Sequence, residues 1–219
     1  MKSLIKMVLT AFKPVIFWYL RKPRNFNYRG LRIKVFPGVF HPGLFISTKY
    51  LLRFIETLPI KNASLLELGA GSGAVGFYAE QLGAHTSLTD ISERVVKGLE
   101  YNKKQLGSKA HIVQSDLFDN VSNFFDFIIV NPPYYPKTPK SEEEMAWFCG
   151  ENFEYFQRFF SGLKAHLNTN GKCYMILSED CEIATIKEIG TKQGFEVSMV
   201  SEKRILREWN YIFLIHPTN

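Results

Sequence analysis

A short apolar strand that runs through a glycine-rich turn directly into a helix limits the fold of this chain most. The strand is predicted at 64–68, the turn GAGSG lies at 69–73, and a helix is predicted at 74–81. Glycine is needed where a backbone turns sharply and a ligand approaches closely. The free N–H groups at the start of the helix face that ligand. The pattern therefore predicts a polar-ligand site at the end of a strand.

Strands and helices alternate along most of the remaining chain. Strands are predicted at 86–89, 111–114, 125–130 and 172–178, with shorter ones within 32–40 around a Pro37-Gly38 turn. Helices are predicted at 47–57, 93–105, 142–167 (one helix or a pair) and 183–193. Such alternation indicates an α/β fold with a mostly parallel sheet and helices on both faces. Two final strand-like runs without an intervening helix predict an antiparallel pair at the sheet edge.

Length and cysteine content narrow the class of protein. The chain has 219 residues, of which 46% are hydrophobic and 22% charged, which is typical of a soluble globular domain. Cys149, Cys173 and Cys181 form no CxxC pair, and the five histidines show no ligand spacing. We therefore expect no disulfide framework, no metal site and a reducing, cytoplasmic location.

Basic residues are concentrated at the N-terminal end. Residues 1–55 hold eleven of the 27 Lys and Arg residues, and the first acidic residue is Glu56. Residues 21–29 interleave cations with aromatic rings, a pattern that can bind phosphates and stack bases or can be a solvated connector. The asymmetry predicts RNA or another anionic surface as a contact of this end.

The first twenty residues mix apolar and basic side chains. Lys13 and Pro14 interrupt the apolar run and no small-residue cleavage site follows, so neither a signal peptide nor a transmembrane segment is predicted. An amphipathic helix up to residue 11 or 12 is expected, because Pro14 removes a backbone donor. Its apolar face could pack on the domain, which is the simplest arrangement, or on a partner or a membrane surface.

Three carboxylates accompany the glycine turn. Glu67 lies two residues before the first glycine, Asp90 ends the following strand, and Asp116 ends the next one, beside Leu117. Asp90 is placed to accept hydrogen bonds from ribose hydroxyls, and Asp116 can contact an adenine amine. A G-x-G-x-x-G match at 71–76 also fits a nicotinamide enzyme, but Glu67 favours a cationic ligand over a pyrophosphate.

The tetrapeptide Asn131-Pro132-Pro133-Tyr134 directly follows the apolar strand at 125–130. Two prolines fix the chain direction and leave a carbonyl outside any strand ladder. The Asn131 side-chain oxygen and the Pro132 carbonyl can accept both hydrogens of an NH2 group, and Tyr134 can stack on a planar acceptor. The pattern predicts a reaction at an amide or aromatic amine nitrogen, in which orientation and electrostatics provide most of the catalysis.

Together these motifs resemble the class I AdoMet-dependent methyltransferases that carry an (Asn/Asp)-Pro-Pro-(Tyr/Phe/Trp) sequence. The chain is most similar to the HemK/PrmC-type protein-glutamine methyltransferases and to the small methyltransferase domains of ribosomal RNA guanine enzymes. The resemblance covers about residues 36–216 and implies a Rossmann-like, seven-stranded fold. We assign 31–219 to this domain and 1–30 to a basic, aromatic extension that is expected to be a helix.

The resemblance also implies AdoMet as the cofactor. The residues expected to bind it are Thr48, Glu67, Gly69, Gly71, Gly73, Asp90, Ile91, Asp116, Leu117 and Asn131. The residues expected to bind the acceptor are Asn131, Pro132, Pro133 and Tyr134, and the expected catalytic group is Asn131, Pro132 and Tyr134.

Segments 147–152, 167–171 and 204–209 resemble the HemK-type branch, whereas only the short basic segment stands where that branch has a helical substrate domain. The resemblance implies a macromolecular acceptor, namely a protein glutamine in the translation machinery. The alternative is a base amine of RNA or DNA, chiefly rRNA or tRNA. A non-catalytic AdoMet-binding module and a nicotinamide dehydrogenase are further alternatives.

Overall fold

The computed structural model describes residues 21–43, 46–205 and 208–218. The helix predicted at the start of the chain lies outside these residues. The described chain opens with a hairpin of β1 (Arg24–Tyr28) and β2 (Leu31–Val35), followed by a seven-stranded sheet. None of the helices in these ranges is long and apolar enough to cross a membrane.

The large sheet is mostly parallel, as the alternation predicts. Its strands are β3 (Ser64–Leu68), β4 (His85–Asp90), β5 (His111–Gln114), β6 (Phe125–Val130), β7 (Leu167–Ser178), β8 (Phe195–Ile205) and β9 (Glu208–Pro217). They are ordered β5-β4-β3-β6-β7-β9-β8. Strand β9 is antiparallel to both β7 and β8, so the last two strands form the antiparallel pair expected at one edge.

Helices lie on both faces of the sheet. They are α1 (Ile46–Ile55), α2 (Ala74–Gln81), α3 (Glu93–Leu106), α4 (Glu154–Leu163) and α5 (Ile183–Lys192). Successive side chains of a strand point to opposite faces. Leu65 accordingly joins the core with α1, α2 and α3, whereas Leu66 joins the core with α4 and α5. Fully apolar central strands are what two covered faces require.

The hairpin extends the domain toward the N-terminus. Arg29 and Gly30 form its turn with positive φ angles of 41° and 90°, and Phe26, Leu31 and Ile33 are buried in the core. Strand β1 is absent from the sequence-based elements, and the hairpin crosses the domain boundary placed at residue 30. After Pro37-Gly38 the chain continues in turns, so the second short strand expected within 32–40 does not form.

The helix predicted over 142–167 is wrong for its first half. A 3-10 turn covers Glu144–Ala146, α4 begins only at Glu154, and β7 begins at Leu167 rather than at residue 172. The backbone N–H groups of Tyr134 and Tyr135 donate to the Trp147 carbonyl at 3.2 and 3.0 Å. These cross-segment hydrogen bonds replace the internal ones of a helix, so the segment packs along the chain that follows β6.

Candidate active site

Loops at the carboxyl ends of β3, β4, β5 and β6 enclose a cavity. Parallel strands bring these ends to one edge of the sheet, where ligands bind in open α/β folds. The cavity measures about 230 Å³, far more than one or two water molecules occupy. Helix α1, the loop at 38–40 and the segment at 142–147 form its other walls.

Nearly all the residues predicted from the sequence line this one cavity. They are Thr48, Glu67, Gly69, Gly71, Asp90, Ile91, Asp116, Leu117, Asn131, Pro132, Pro133 and Tyr134. Gly73 is not part of the lining and instead precedes α2 with a φ of 73°. A Cβ atom on Gly73 would lie 2.6 Å from Leu99 Cδ2 and from Phe77 Cε2, so packing and backbone conformation both require glycine there.

The side chain of Asp90 holds the glycine turn in place. Its carboxylate accepts hydrogen bonds from the backbone N–H of Gly71 at 3.0 Å and of Ser92 at 3.1 Å. The backbone N–H of Ala70 donates to the Thr89 carbonyl at 2.7 Å. Gly71 has a φ of 52°, in the region that favours glycine. Strand β4 therefore fixes the turn that follows β3.

Glu67 is a buried carboxyl group at the end of β3, only 8% exposed. It accepts a 2.7 Å hydrogen bond from the backbone N–H of Gly76. Burial raises the pKa of Glu67 to about 8, an effect that backbone hydrogen bonds oppose and the Asp90 carboxylate reinforces. A carboxyl group in this state is either protonated or in need of a cation beside it.

The cavity is rich in carboxyl groups. Among the described lining residues, Glu67, Asp90, Asp116 and Glu142 are acidic and Arg94 is basic. Burial raises the pKa of Asp90, and the nearby Glu142 carboxylate raises it further. This distribution favours a ligand that carries positive charge.

One wall of the cavity contains a buried hydroxyl with an unmet hydrogen bond. Thr89 is 1% exposed, and its Oγ1 has no partner in the described part of the chain. Buried polar groups are nearly always paired, so this hydroxyl suits a polar ligand. In the same residues, no group of three or more His, Cys, Asp or Glu side chains could hold a metal ion.

An ion pair fixes Asp116 at the cavity wall. Arg158 Nη1, from α4, lies 2.8 Å from Asp116 Oδ2, and Nη2 lies 3.4 Å from Asp119 Oδ2. Leu117 follows with a φ of 48° and is buried. A charged and an apolar side chain thus lie next to each other, as recognition of an adenine ring would require.

The tetrapeptide after β6 forms the opposite wall. Asn131 is exposed, Pro132 is buried, and Tyr134 is partly buried. Burial raises the pKa of the Tyr134 phenol, and the nearby Tyr135 raises it further. Tyr134 therefore stays neutral, and its ring lies against that of Tyr135, 4.7 Å between centroids.

Sequence reasoning missed two segments that line the cavity, at 38–40 and 142–147. The rings of Phe40 and Trp147 are 4.2 Å apart between centroids, inclined by 43°. Arg94 Nη1 in α3 lies 3.3 Å from Glu143 Oε1. Tyr155 of α4 also lines the cavity. The aromatic residues on either side of Pro37-Gly38 could have pointed to the first segment. Trp147 was missed because it was assigned to the predicted helix at 142–167.

Comparison with known sequences identifies relatives of this chain. The family model described as "Methyltransferase small domain" matches residues 30–203. A Lactococcus lactis release factor glutamine methyltransferase is 27% identical over 81% of this chain and 66% of its own length. A Vibrio cholerae ribosomal RNA small subunit methyltransferase C is 28% identical over 54% of this chain. This chain spans only 35% of the length of that relative.

Solved structures share the fold. A Pyrococcus furiosus methyltransferase has a TM-score of 0.61 and 22% identity, covering 80% of this chain and 86% of that one. The T. thermophilus 16S rRNA N2 G1207 methyltransferase, solved with AdoMet and guanosine, has a TM-score of 0.64 and 20% identity. The matched region covers 90% of this chain and 50% of the T. thermophilus chain. At these identities the likeness concerns the fold.

Proposed function

The chain belongs to the methyltransferase small domain family, and from this premise we propose that it methylates the nitrogen of a planar NH2 group. Membership makes it an AdoMet-dependent methyltransferase. AdoMet supplies a methyl group on a positively charged sulfur. The observation that carries the proposal is that Asn131, Pro132 and Tyr134 share one cavity with the glycine turn and Asp90.

The residues of this cavity suit AdoMet by charge and by hydrogen-bonding capacity. Glu67 and Asp90 have raised pKa values because they are buried, and a cation near them would relieve that cost. Thr89 Oγ1 has no partner in the described chain and can bond a polar group of the ligand. These features support a cationic, polar ligand.

We assign the AdoMet site residue by residue. Asp90 would bind the ribose hydroxyls while holding Gly71, and Asp116 would bind the adenine amine beside Leu117. The remaining members of the site are Thr48, Glu67, Gly69, Ile91 and Asn131, with Gly73 acting through the start of α2. Apart from Gly73, all these residues line the cavity, and this common position supports the assignment. Gly73 contributes indirectly, because its lack of a side chain lets α2 begin close to Leu99 and Phe77.

The acceptor would bind against the tetrapeptide. The Asn131 side-chain oxygen and the Pro132 carbonyl would accept the two N–H hydrogens, while Tyr134 and Pro133 would contact the flat face of the acceptor. Two acceptors raise the electron density of a nitrogen whose lone pair is otherwise delocalised. Catalysis would then rest on orientation and on electrostatics matched to the transition state.

Our first candidate acceptor is the side-chain amide of a protein glutamine. The Lactococcus lactis relative is a release factor glutamine methyltransferase, and its similarity extends over most of this chain. A protein of the translation machinery as acceptor would place the enzyme in the cytoplasm.

Our second candidate is the exocyclic amine of an RNA base. The specific observation in its favour is the hairpin, where every charged side chain from residue 21 to residue 43 is basic. The Vibrio cholerae relative, a ribosomal RNA methyltransferase, is consistent with it.

A labelling experiment tests the reaction and separates the acceptors. Purified protein is incubated with tritiated AdoMet and a lysate from cells that lack the enzyme, and the product is treated with RNase or protease. Label removed only by protease supports glutamine, and label removed by RNase supports RNA. Asn131→Ala should abolish transfer and, because Asn131 also belongs to the proposed AdoMet site, should weaken AdoMet binding only in part, since Glu67, Asp90 and the glycine turn remain. Full transfer by this variant would refute the assigned role. AdoMet binding by the wild-type protein without any transfer would favour a binding module.

A further inference from the structure

The outer face of the β1–β2 hairpin is polar and basic. The register pairs Asn25 with Lys34 and Asn27 with Arg32. These four side chains lie on the face opposite the buried Phe26, Leu31, Ile33 and Val35, because side chains alternate along each strand. We call Asn25, Asn27, Arg32 and Lys34 the hairpin face. Of the four, Lys34 is partly buried and the others are exposed.

Charge around the hairpin face is predominantly positive. No acidic residue precedes Glu56 in the sequence, and Glu56 is itself paired with Arg29 at 2.8 Å. The last turn of α3 adds two more cations, Lys103 and Lys104. The acids of α3 are Glu93, which is paired with Lys97 at 2.7 Å, and Glu100.

An aromatic side chain borders the same face. Tyr101 of α3 is 39% exposed. Its hydroxyl accepts a 2.9 Å hydrogen bond from Lys34 Nζ, which also lies 4.7 Å from the centroid of its ring. Phe36 packs against this ring in a T-shaped arrangement, 5.5 Å between centroids. The ring is therefore held in place beside a cation.

A series of contacts along α3 connects the hairpin face with the cavity. Asn102 exchanges two 2.9 Å hydrogen bonds with the backbone of Lys34. Farther along, Phe36 packs over Gly98, and Gly38 lies against the guanidinium of Arg94. Arg94 and Gly38 both line the cavity. Asn102 and Arg94 are eight positions apart in α3, a distance of about 12 Å along the helix axis.

We propose that the hairpin face binds the sugar–phosphate backbone of a single-stranded RNA whose target base enters the cavity. This inference rests on the proposed reaction and selects its second acceptor. Arg32 and Lys34 would pair with phosphates, while Asn25 and Asn27 would hydrogen-bond to phosphate or sugar oxygens. Tyr101 would stack on a base. A length of about 12 Å corresponds to three or four stacked nucleotides at about 3.4 Å each.

RNA fits this surface better than an acidic protein segment does. Two cations and two amides lie on the hairpin face, and the exposed ring of Tyr101 in α3 borders it. Cations beside an aromatic ring are typical of surfaces that bind single-stranded nucleic acids. A carboxylate-bearing peptide would match the cations and the amides but would offer no base to stack on the ring.

The test measures RNA binding against salt concentration. The probe is a fluorescein-labelled single-stranded RNA of mixed sequence, about 16 nucleotides long, and the readout is fluorescence anisotropy between about 50 and 200 mM salt. The full chain is compared with an Arg32→Gln/Lys34→Gln variant. Loss of two phosphate contacts should lower the salt slope by about 1.4 and raise the Kd about tenfold near physiological salt. A Lys164→Gln/Lys172→Gln variant, with the same charge change at exposed positions elsewhere, should bind as the wild type does.

Two results would overturn the inference. One is an unchanged slope and Kd in the hairpin variant. The other is a wild-type protein that ignores RNA but binds a protein acceptor through Arg32 and Lys34. AdoMet binding, measured by calorimetry on the same preparations, reports on the proposed reaction separately. Protein that bound RNA through the hairpin but did not bind AdoMet would leave this surface in place and refute the reaction.

Discussion

The carboxyl group of Glu67 accepts a 2.7 Å hydrogen bond from the backbone N–H of Gly76, which joins the end of β3 to the first turns of α2 across the glycine turn. A Cβ atom on Gly76 would lie 3.0 Å from Glu67 Oε2 and 2.7 Å from Leu88 Cγ. The close approach that glycine permits thus lets the helix pack on the buried acid. The same burial keeps the pKa of Glu67 near 8.

Replacing Glu67 by glutamine should make the pH dependence of stability flatter. The pKa of Glu67 rises from 4.5 in its ordinary state to about 8 in the fold, so the folded state binds more protons between these values. Its contribution to the free energy of unfolding is complete below pH 4.5 and is lost as pH rises through 8. Glu67→Gln keeps an acceptor for Gly76 and carries no charge. From pH 5 to pH 9, the free energy of unfolding should fall by roughly 2 to 4 kcal/mol more in the wild type than in the variant. Urea unfolding at the two pH values measures this difference.

The same group should couple AdoMet binding to proton release. A cation near Glu67 favours its carboxylate, so binding lowers the pKa and expels a proton at neutral pH. Affinity for AdoMet should therefore rise as pH increases from about 6.5 to 8, by no more than tenfold per pH unit. Calorimetry at pH 7 in buffers of different ionisation enthalpy measures the proton directly. Release that persists in Glu67→Gln would assign it to another group.

Gly73 and Gly107 provide a matched pair for testing why glycine is needed at the start of α2. Both have positive φ angles, 73° and 62°. A Cβ on Gly73 would meet Leu99 and Phe77 at 2.6 Å, whereas a Cβ on Gly107 would meet nothing within 4 Å. Gly107→Ala should cost about 1 kcal/mol of unfolding free energy, and Gly73→Ala about 1 to 3 kcal/mol more because side chains must move. Equal losses in thermal unfolding would contradict the packing argument.

Local sequence rules predicted the parallel core because short stretches of sequence determine its strands and helices. The apolar run at 125–130 and the strand–turn–helix at 64–81 are short-range patterns, and the structure has β3, β6 and α2 at the predicted bounds. Carboxyl ends of parallel strands share one edge, so Asp90 and Asn131 could be placed in one site without coordinates. The family match confirms that the chain is a methyltransferase.

What sequence rules missed depends on contacts between distant segments. Trp147 lies in a stretch with helical character, and its position is set by hydrogen bonds from Tyr134 and Tyr135. Strand β1 has Asn25 and Asn27 at alternate positions, and asparagine is uncommon in strands. Its pairing with the antiparallel β2 makes it a strand. The pairing of Arg158 with Asp116 spans 42 positions, which no local pattern encodes.

Arg158 is expected to act as a positioning residue for Asp116. The two side chains are 50% and 39% exposed, so the ion pair contributes modestly. Arg158→Met should weaken AdoMet binding about threefold at low salt, and the difference should shrink at high salt because the charges are screened. Calorimetry on Arg158→Met and on the conservative Arg158→Lys, which should recover part of the loss, provides the measurement. A salt-independent loss would indicate that packing of α4, not the ion pair, is responsible.

Trp147 is expected to determine acceptor binding through its side chain alone. Its backbone carbonyl accepts the hydrogen bonds from Tyr134 and Tyr135, so Trp147→Leu leaves them in place. The substitution removes the ring that packs on Phe40 in the cavity lining. Loss of an aromatic contact of about 0.5 to 1.5 kcal/mol should raise the acceptor KM by about two- to tenfold with little change in kcat. Trp209→Leu is the control, since Trp209 packs on Tyr211 outside the cavity lining and should leave KM unchanged. A lower thermal stability without any change in KM would show that the Trp147 ring serves packing, and a parallel fall in kcat would place it among the groups that contact the reacting atoms.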